Sequence, residues 1–383
     1  MRLRGTGTLS PSKGEASKDK PNLYRVLTKA SVGLSILAAT LGMGCSGTTM
    51  KTSTAKMNKA LWVANGANVV EFLPTQLAQG VASTAPHLAN NSAVFGAPQG
   101  VTFDAAGNLW VIDGGTLATP GGTAKPALYQ FTAAQLAALG TTANPSPNIT
   151  INSVSFTFPQ QAVFDANGNL FVSDNGSNAV FVLKAAQLMA TNMNLTPDIT
   201  ITSTPAFSGP LGITFDSAGD LWVANNATTT IFEFNSSALP TANSTVALTP
   251  NVVLSDDGKG SIQAPWALVF DSTGNLWSSN ANAPNTVVQF AKASLAATGS
   301  PTPAVTLSST MVGTNATLNA PNGIAFDNLG DLAAISSATP FGLALFGKTQ
   351  LAAGGAVAPN TFLVGTVTTL DAPAGCNFGP VVN

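Results

Sequence analysis

The stretch FDAAGNL, residues 103–109, recurs in this chain of 383 residues in the form Phe-Asp-x-x-Gly-Asn/Asp-Leu. The other copies begin at Phe164, Phe215, Phe270 and Phe326, at spacings of 61, 51, 55 and 56 residues. Self-similarity at such a period is typical of repeat architectures, in which each copy is one supersecondary unit. The repeat therefore decides the fold before any single residue is considered.

Each copy lies inside a longer unit with four segments of strand character. The Asp-x-x-Gly sequence predicts a tight hairpin between the first two strands, because Asp supplies a side-chain acceptor and Gly tolerates positive φ. A third segment ends near a Gln-Leu pair, and a fourth alternates apolar residues with Thr or Ser, as at 197–203. Four strands in each of six units predict an all-β, six-bladed β-propeller.

The two outermost strand segments of the chain indicate how the ring closes. Residues 61–65 read as a second strand with no first strand before them, and residues 372–378 read as a first strand with no second strand after them. Together they complete one blade, which removes the open sheet edges that favour aggregation. We therefore expect these N-terminal and C-terminal strands to pair and close the ring.

The first 45 residues differ from the rest in composition. They carry seven Arg and Lys against two acids, a net charge of +5, and are followed within this segment by an uncharged, mostly apolar run at 30–44. A basic region before a short apolar region predicts an export signal. The run LGMGCS at 41–46 resembles the lipobox of bacterial lipoproteins, which implies lipidation of Cys45. Simple secretion and a retained anchor are the alternatives.

The predicted domain organisation is an export signal at 1–45, a small and polar tether at 46–59 and the propeller at 60–383. We expect the protein to be exported and lipid-anchored in the cell envelope, or else secreted or periplasmic, with the membrane reached only through the N-terminal lipid. Beyond residue 45 there are eight Lys, no Arg and fifteen acids, a net charge of −7. Nucleic acid is therefore not an expected partner, because phosphate contacts need clustered cations.

The stretch GNLFVSDNGSNAV at 168–180 is similar to the core of NHL repeats, and the wider pattern resembles the six-bladed propellers of the senescence marker protein and gluconolactonase superfamily. In those enzymes a Glu, an Asn and an Asp hold a divalent cation over the channel. The resemblance places Asn322 at the position of the Asn and Ala374 at that of the Asp. The only Glu residues beyond residue 45, Glu71 and Glu233, belong to third strands away from the channel. We expect no metal and no other cofactor, because one amide does not hold a hard cation.

The residue after proline in each first strand offers another kind of site. Because first strands line a propeller channel, four polar or aromatic residues at this position are expected to meet at one mouth. They are Gln99, Gln160, Trp266 and Asn322. Amides that donate and accept hydrogen bonds, next to an aromatic face, suit a sugar or a peptide. Asp and Asn residues that end the second strands, such as Asp113 and Asp174, are expected to satisfy turn backbones, and the alternative is that they add polar groups to a rim.

No catalytic constellation is evident in the sequence. His87 is the only His, and Cys376 is the only Cys besides Cys45, so Cys376 is interpreted as a small buried residue. The sequence favours an extracytoplasmic, monomeric binding or interaction module that takes a small ligand or an envelope protein. A lactonase-like or lyase-like enzyme is the first alternative, and a structural surface protein is the second.

Overall fold

The structure is a computed structural model, and it describes residues 58–115, 125–139, 144–365 and 368–381. The predicted export signal at 1–45, including Cys45, and tether residues 46–57 lie outside the described residues.

The described residues form six sheets of four or five strands, which are the blades of a six-bladed propeller, as the repeat predicts, and one separate two-stranded hairpin. Blades 1 to 5 follow the chain, and each has four antiparallel strands that are ordered from the channel outward. In blade 1 they are Pro98–Phe103, Leu109–Asp113, Ala127–Phe131 and Ile149–Ser153. In blade 2 they are Pro159–Phe164, Leu170–Asp174, Ala179–Leu183 and Ile199–Ser203. In blade 3 they are Pro210–Phe215, Leu221–Asn225, Thr230–Phe234 and Val252–Ser255.

Blades 4 and 5 have the same order, and a short hairpin separates them. In blade 4 the strands are Pro265–Phe270, Leu276–Asn280, Thr286–Phe290 and Val305–Ser308. In blade 5 they are Pro321–Phe326, Leu332–Ser336, Gly342–Phe346 and Thr361–Val364. The hairpin between the two blades pairs Met311–Val312 with Asn315–Ala316.

Blade 6 is built from the two distant parts of the chain, which confirms the predicted closure. Its first strand, Pro373–Pro380, pairs antiparallel with its second strand, Lys59–Asn65. The third and fourth strands are Asn68–Phe72 and Leu88–Asn90. The second strand begins at Lys59, a residue that the sequence assigned to the tether.

The recurring phrase works as a hairpin and as a contact between blades. In blade 1, Asp104 Oδ1 accepts hydrogen bonds from the backbone N–H groups of Ala106 (3.0 Å) and Asn108 (2.9 Å). The Phe of each phrase packs edge-on against a second-strand aromatic of the preceding blade, with ring centroids 5.0 to 6.1 Å apart. These pairs are Trp62–Phe103, Trp110–Phe164, Phe171–Phe215, Trp222–Phe270 and Trp277–Phe326. The four second-strand tryptophans are buried and belong to the core.

A short helical segment follows the third strand of every blade. These segments are Pro74–Leu77, Ala133–Ala137, Ala185–Leu188, Ser236–Ala238, Lys292–Leu295 and Lys348–Ala353, and a further turn at Asn226–Thr228 precedes a third strand. Where the segment ends in Gln-Leu, the Leu is buried and the Gln bonds outward, as Gln135 Nε2 does to Ser146 O at 2.8 Å. No helix among the described residues is long and apolar enough to cross a membrane.

The outer rim contains pairings that the four-strand interpretation lacks. Fourth strands pair in parallel with a segment of the following blade that precedes that blade's own fourth strand. Asn192–Leu195 extends blade 1, Ser244–Leu248 extends blade 2 and Val81–Ala82 extends blade 5. Single bridges from Leu254 to Gly299 and from Leu307 to Gly355 take the same place in blades 3 and 4. Blades 1 to 5 are therefore each bound to the next blade at the rim as well as at the channel.

Candidate functional site

The six first strands surround a cavity of about 300 Å³, which is the central channel. Its wall has polar side chains at Thr102, Gln161 and Asn377. Glycine lets neighbouring first strands approach closely: a Cβ on Gly100 would lie 2.7 Å from the Gln160 carbonyl oxygen, and one on Gly375 would lie 2.6 Å from that of Gln99. The close approach of adjacent first strands therefore fixes the backbone positions of the post-proline residues Gln99 and Gln160.

A β-bulge contains the post-proline residue in every blade. In blade 1, Pro98 pairs with Asp113 and Gly100 pairs with Ile112, so Gln99 has no partner across the strand. The same shift occurs at the corresponding positions of the other blades, which hold Gln160, Leu211, Trp266, Asn322 and Ala374. A bulge changes the direction of one side chain relative to the regular alternation of a strand. The structure therefore gives the four predicted ligand-binding residues equivalent places around one end of the channel.

The burial of these four residues divides them into two kinds. Gln160 is 2% exposed and Asn322 is 7% exposed, whereas Trp266 and Gln99 are half-buried. Gln160 Nε2 and Asn322 Oδ1 have no hydrogen-bond partner among the described residues, and Gln99 Nε2 donates to Ala97 O at 3.2 Å. A buried donor and a buried acceptor without partners are unusual, because such groups lose their hydration at a cost.

The order of the blades sets these residues on two sides of the channel. Gln99 and Gln160 belong to adjacent blades 1 and 2, and Trp266 and Asn322 belong to adjacent blades 4 and 5. In a six-membered ring, blades 1 and 2 stand opposite blades 4 and 5. The partnerless donor of Gln160 therefore lies across the mouth from the partnerless acceptor of Asn322.

The acids and amides that end the second strands have structural partners. Asp113 accepts hydrogen bonds from the backbone N–H groups of Gly96, Ala97 and Gly115, and Asp174 accepts from Thr157, Phe158 and Ser177. Burial raises the pKa of Asp113 despite these bonds. Burial, together with the charge of Asp113, raises the pKa of Tyr129 to about 12. These residues hold the backbone just before the first strands in place through hydrogen bonds, as expected from their preference for turns.

The residues implied by the gluconolactonase resemblance do not assemble around the channel. Asn322 and Ala374 take equivalent bulged positions in blades 5 and 6, whereas Glu71 and Glu233 lie on third strands. No group of three or more His, Cys, Asp or Glu residues in the described part of the chain is arranged to hold a metal ion. Cys376 lies in the channel wall, where burial raises the pKa of its thiol to about 12.

The end of the propeller opposite the post-proline residues carries a second set of polar residues, which sequence analysis treated only as turns. We call the Asp of each recurring phrase the hairpin carboxylate. In blade 4, Asp271 Oδ2 accepts hydrogen bonds from Asn275 Nδ2 (2.9 Å), Trp277 Nε1 (3.0 Å) and Gln289 Nε2 (3.2 Å). Burial alone would raise the pKa of Asp271, but hydrogen bonds from Thr273, Trp277 and Asn275 outweigh it and lower the pKa to about 2.

Blade 1 repeats this arrangement. Asp104 Oδ2 accepts hydrogen bonds from Asn108 Nδ2 (2.9 Å), Trp110 Nε1 (3.1 Å) and Gln130 Nε2 (3.5 Å). The spacing of Asp and Trp by six residues was a signal in the sequence, because it places both side chains on the same end of one hairpin.

Blade 3 departs from the pattern at two of the three donor positions. Trp222 Nε1 still donates to Asp216 Oδ2 at 3.3 Å, but Asp220 replaces the Asn and Glu233 replaces the Gln. Glu233 is 4% exposed and its Oε1 has no hydrogen-bond partner among the described residues. Burial, and then the charges of Asp220 and Asp216, raise the pKa of Glu233 to about 7. Three carboxyl groups therefore border one cavity, at positions where blades 1 and 4 have one carboxyl group and two amides.

Known structures with the same architecture match most of the chain. A chain of a nidogen–laminin complex is 14% identical, with 84% of this chain and 98% of that chain covered and a TM-score of 0.56. A protein from Bacteroides caccae is 12% identical, with 84% and 99% covered and a TM-score of 0.52. A putative 6-phosphogluconolactonase from Bacteroides fragilis is 14% identical, with 85% and 99% covered and a TM-score of 0.50.

The chain is a six-bladed β-propeller. At these levels of identity the likeness shows the fold alone, since propellers of one shape host many functions. No family model and no curated protein sequence matches the chain. Its function is therefore inferred from its own residues.

Proposed function

We propose that this propeller is a binding module that holds a neutral, hydrogen-bonding ligand at the channel mouth bounded by Gln99, Gln160, Trp266 and Asn322. The observation that carries the proposal is the pair of buried groups without partners, Gln160 Nε2 and Asn322 Oδ1, on opposite sides of the ring. Such groups are commonly completed by a ligand or by ordered water.

The chemistry of the mouth favours a sugar over other small ligands. The six post-proline residues carry no charge, so an ionic ligand would meet no compensating group there. A sugar has several hydroxyl groups that donate and accept, so one can accept a hydrogen bond from Gln160 Nε2 and another can donate one to Asn322 Oδ1. Trp266 is half-buried and offers an aromatic face for the C–H groups of a sugar ring. A peptide has the same donors and acceptors and is the second ligand to test.

The enzyme alternative has less support in the site. Asn322 is the residue that matches the metal-binding pattern of the gluconolactonase superfamily, and the neighbouring blade offers Ala374. A hard cation needs several oxygen ligands and negative charge.

Export and lipidation at Cys45 remain predictions from the sequence, and comparison of membrane fractions from cells with the native chain and with Cys45→Ser tests them.

A thermal-shift titration against monosaccharides, oligosaccharides, short peptides, calcium, zinc and manganese tests the proposal, because a ligand of the native state raises the unfolding temperature by mass action. We expect a sugar-dependent shift that is lost in Gln160→Ala, Asn322→Ala and Trp266→Ala. The control is Gln79→Ala, which removes an exposed amide of blade 6 far from the mouth.

The other outcomes separate the alternatives. A metal-dependent shift that Asn322→Ala abolishes would support the lactonase-like enzyme instead. A shift that persists in all three mouth variants would place the ligand elsewhere. No shift with any probe would favour an envelope protein partner or a structural surface role.

A further inference from the structure

A second cavity, of about 280 Å³, lies between blades 3 and 4 at the end of the propeller opposite the post-proline residues. Asp216, at the end of the first strand of blade 3, borders this cavity, whereas Leu211 is near the start of that strand. The cavity is therefore independent of the channel-mouth site. Trp222 and Phe270 form aromatic walls, with ring centroids 5.8 Å apart and rings at 72°.

The charged groups that border this cavity come from three elements. Asp216 and Asp220 belong to the first hairpin of blade 3, and Glu233 belongs to its third strand. Lys292 reaches the rim from the helical segment of blade 4, and its side chain is exposed. The acids therefore outnumber the cation by three to one among the lining residues, and the cation is at the solvent side.

The hydrogen bonds of the cluster leave a defined deficit of donors. In blade 4, two side-chain amides donate to the hairpin carboxylate at 2.9 and 3.2 Å. In blade 3 the corresponding positions are carboxyl groups, so Asp216 Oδ2 retains only the N–H of Trp222 from these three positions. Glu233 Oε1 is buried without a partner. Burial and the charges of Asp220 and Asp216 disfavour the ionised form of Glu233 unless another cation compensates them.

We propose that this cavity binds an alkylammonium group. An ammonium group brings three N–H donors and one positive charge in a compact form, which replaces the two missing amide donors and compensates the carboxylates. The aromatic walls add to the attraction for a cation. The described acids are not arranged to hold a metal ion, which favours an organic cation. The ammonium could belong to a free polyamine or to a lysine side chain of another protein.

Ligand and proton compete at Glu233. An ammonium ligand binds best when Glu233 is ionised, so binding releases the proton of Glu233 to solvent and no other bond changes. Because only the ionised fraction is competent, the affinity should be about ten-fold higher at pH 8 than at pH 6. The charged groups that set this competition are Asp216, Asp220 and Lys292.

Calorimetric titration of the full chain with spermidine, and with a short peptide that contains one lysine, tests the proposal at pH 6 and pH 8. We expect one saturable site for at least one probe, weakened about ten-fold at pH 6 as the competing proton requires. The probe that binds more tightly identifies the source of the ammonium group.

Variants that copy blade 4 provide the decisive comparison. Glu233→Gln and the double variant Asp220→Asn, Glu233→Gln should abolish binding and its pH dependence. Because these residues are the ones that blades 1 and 4 use, the variants should keep the fold, and circular dichroism checks this. The control Asp198→Asn removes one negative charge at a half-buried position of blade 2 and should bind like the native chain.

Three results would overturn the proposal. They are the absence of saturable binding for both probes, equal binding by the native chain and the double variant, and binding that Asp198→Asn weakens as much as Glu233→Gln does. The last result would indicate a general attraction to an acidic surface.

Discussion

Blade 3 and blade 4 have the same strand register and the same hairpin phrase. They differ in the side chains around the hairpin carboxylate, which are hydrogen-bond donors in blade 4 and mostly carboxyl groups in blade 3. In blade 4, Asp271 Oδ2 accepts side-chain hydrogen bonds from Asn275, Trp277 and Gln289. In blade 3, Asp216 Oδ2 accepts one from Trp222, and the other two positions hold the carboxyl groups of Asp220 and Glu233. In a repeat protein each unit is a control for the others. Residues that differ between units while the backbone stays the same are therefore residues that the fold does not require.

Blade 5 shows that a departure can also be compensated locally. Its hairpin carboxylate, Asp327, is 8% exposed and its Oδ2 has no partner among the described residues. All three donors of blade 4 are replaced there, the Asn by Asp331, the Trp by Ala333 and the Gln by Leu345. Burial and the charge of Asp327 raise the pKa of Asp331, while Lys348 of the same blade opposes the shift. Blade 3 has no such cation on its own helical segment, whose first residue is Ser236.

The largest effect is expected from removal of the hairpin carboxylate itself. Asp271→Ala leaves the indole and amide donors of blade 4 without their acceptor and should lower the free energy of unfolding by about 3 kcal/mol. Asp216→Ala should cost less, because it also removes a like charge beside Glu233. Urea unfolding at pH 7 measures both. Equal losses would show that the donors of blade 4 contribute little.

Gln289→Glu converts blade 4 toward blade 3. The variant removes one donor to Asp271 and adds a carboxyl group, so we expect a loss of about 2 kcal/mol at pH 8. At pH 5 the new carboxyl group can keep its proton and donate, and the loss should be smaller. Gln130→Glu in blade 1 is the matched variant and should behave alike. A loss independent of pH would point to packing instead of charge.

Glu233 should make stability depend on pH in one defined window. Burial, and then the charges of Asp220 and Asp216, raise the pKa of Glu233 in the folded chain from the ordinary 4.5 to about 7. The proton therefore stabilises the folded state fully below about pH 4.5, and this contribution is lost as the pH rises through 7. Glu233→Gln should be more stable than the native chain at pH 8, by about 1 to 2 kcal/mol.

Thermal unfolding of the two chains from pH 4.5 to pH 8.5 measures this difference, in which the other titrating groups cancel. A difference that stays constant with pH would contradict the assignment to Glu233.

The smallest effect is expected for Asp220→Asn. Asp220 is half-buried, so solvent screens its charge, and the gain in stability should be about 0.5 kcal/mol. The new amide can donate to Asp216 as Asn275 does to Asp271. The variant should also move the pH midpoint assigned to Glu233 downward, because the charge of Asp220 contributes to that shift. An unchanged midpoint would show that Asp220 does not act on Glu233.

The sequence predicted the architecture well because the fold depends on features repeated along the chain. The Asp-x-x-Gly turn and the shared closing blade are both confirmed, since each follows from local turn chemistry or from the strand pattern of a unit. The parallel pairings at the outer rim were missed. They join separate units through polar residues such as those of Asn192–Leu195, and such pairing has no periodic signal.

The sites were only partly accessible from sequence. The post-proline ring could be listed, but the bulge that places Gln160 and Asn322 depends on backbone pairing across two strands. An alignment of the repeats shows the residues of the carboxyl cluster of blade 3, because Asp220 and Glu233 occupy positions where blades 1 and 4 have Asn and Gln. Its meaning required the hydrogen bonds of blades 1 and 4, which bring together residues from two different hairpins of a blade.

The shared blade 6 has a consequence for synthesis of the protein. Its second strand ends at Asn65 and its first strand begins at Pro373, so 308 residues (373 − 65) separate the two partners. At about 5 to 20 residues per second, a ribosome needs roughly 15 to 60 seconds to make this interval. Throughout that time the edge of Lys59–Asn65 that will pair with Pro373–Pro380 has no partner. Chaperones would therefore meet an unpaired edge at Lys59–Asn65 while the propeller is being made, and a chain cut short before residue 373 would keep that edge permanently.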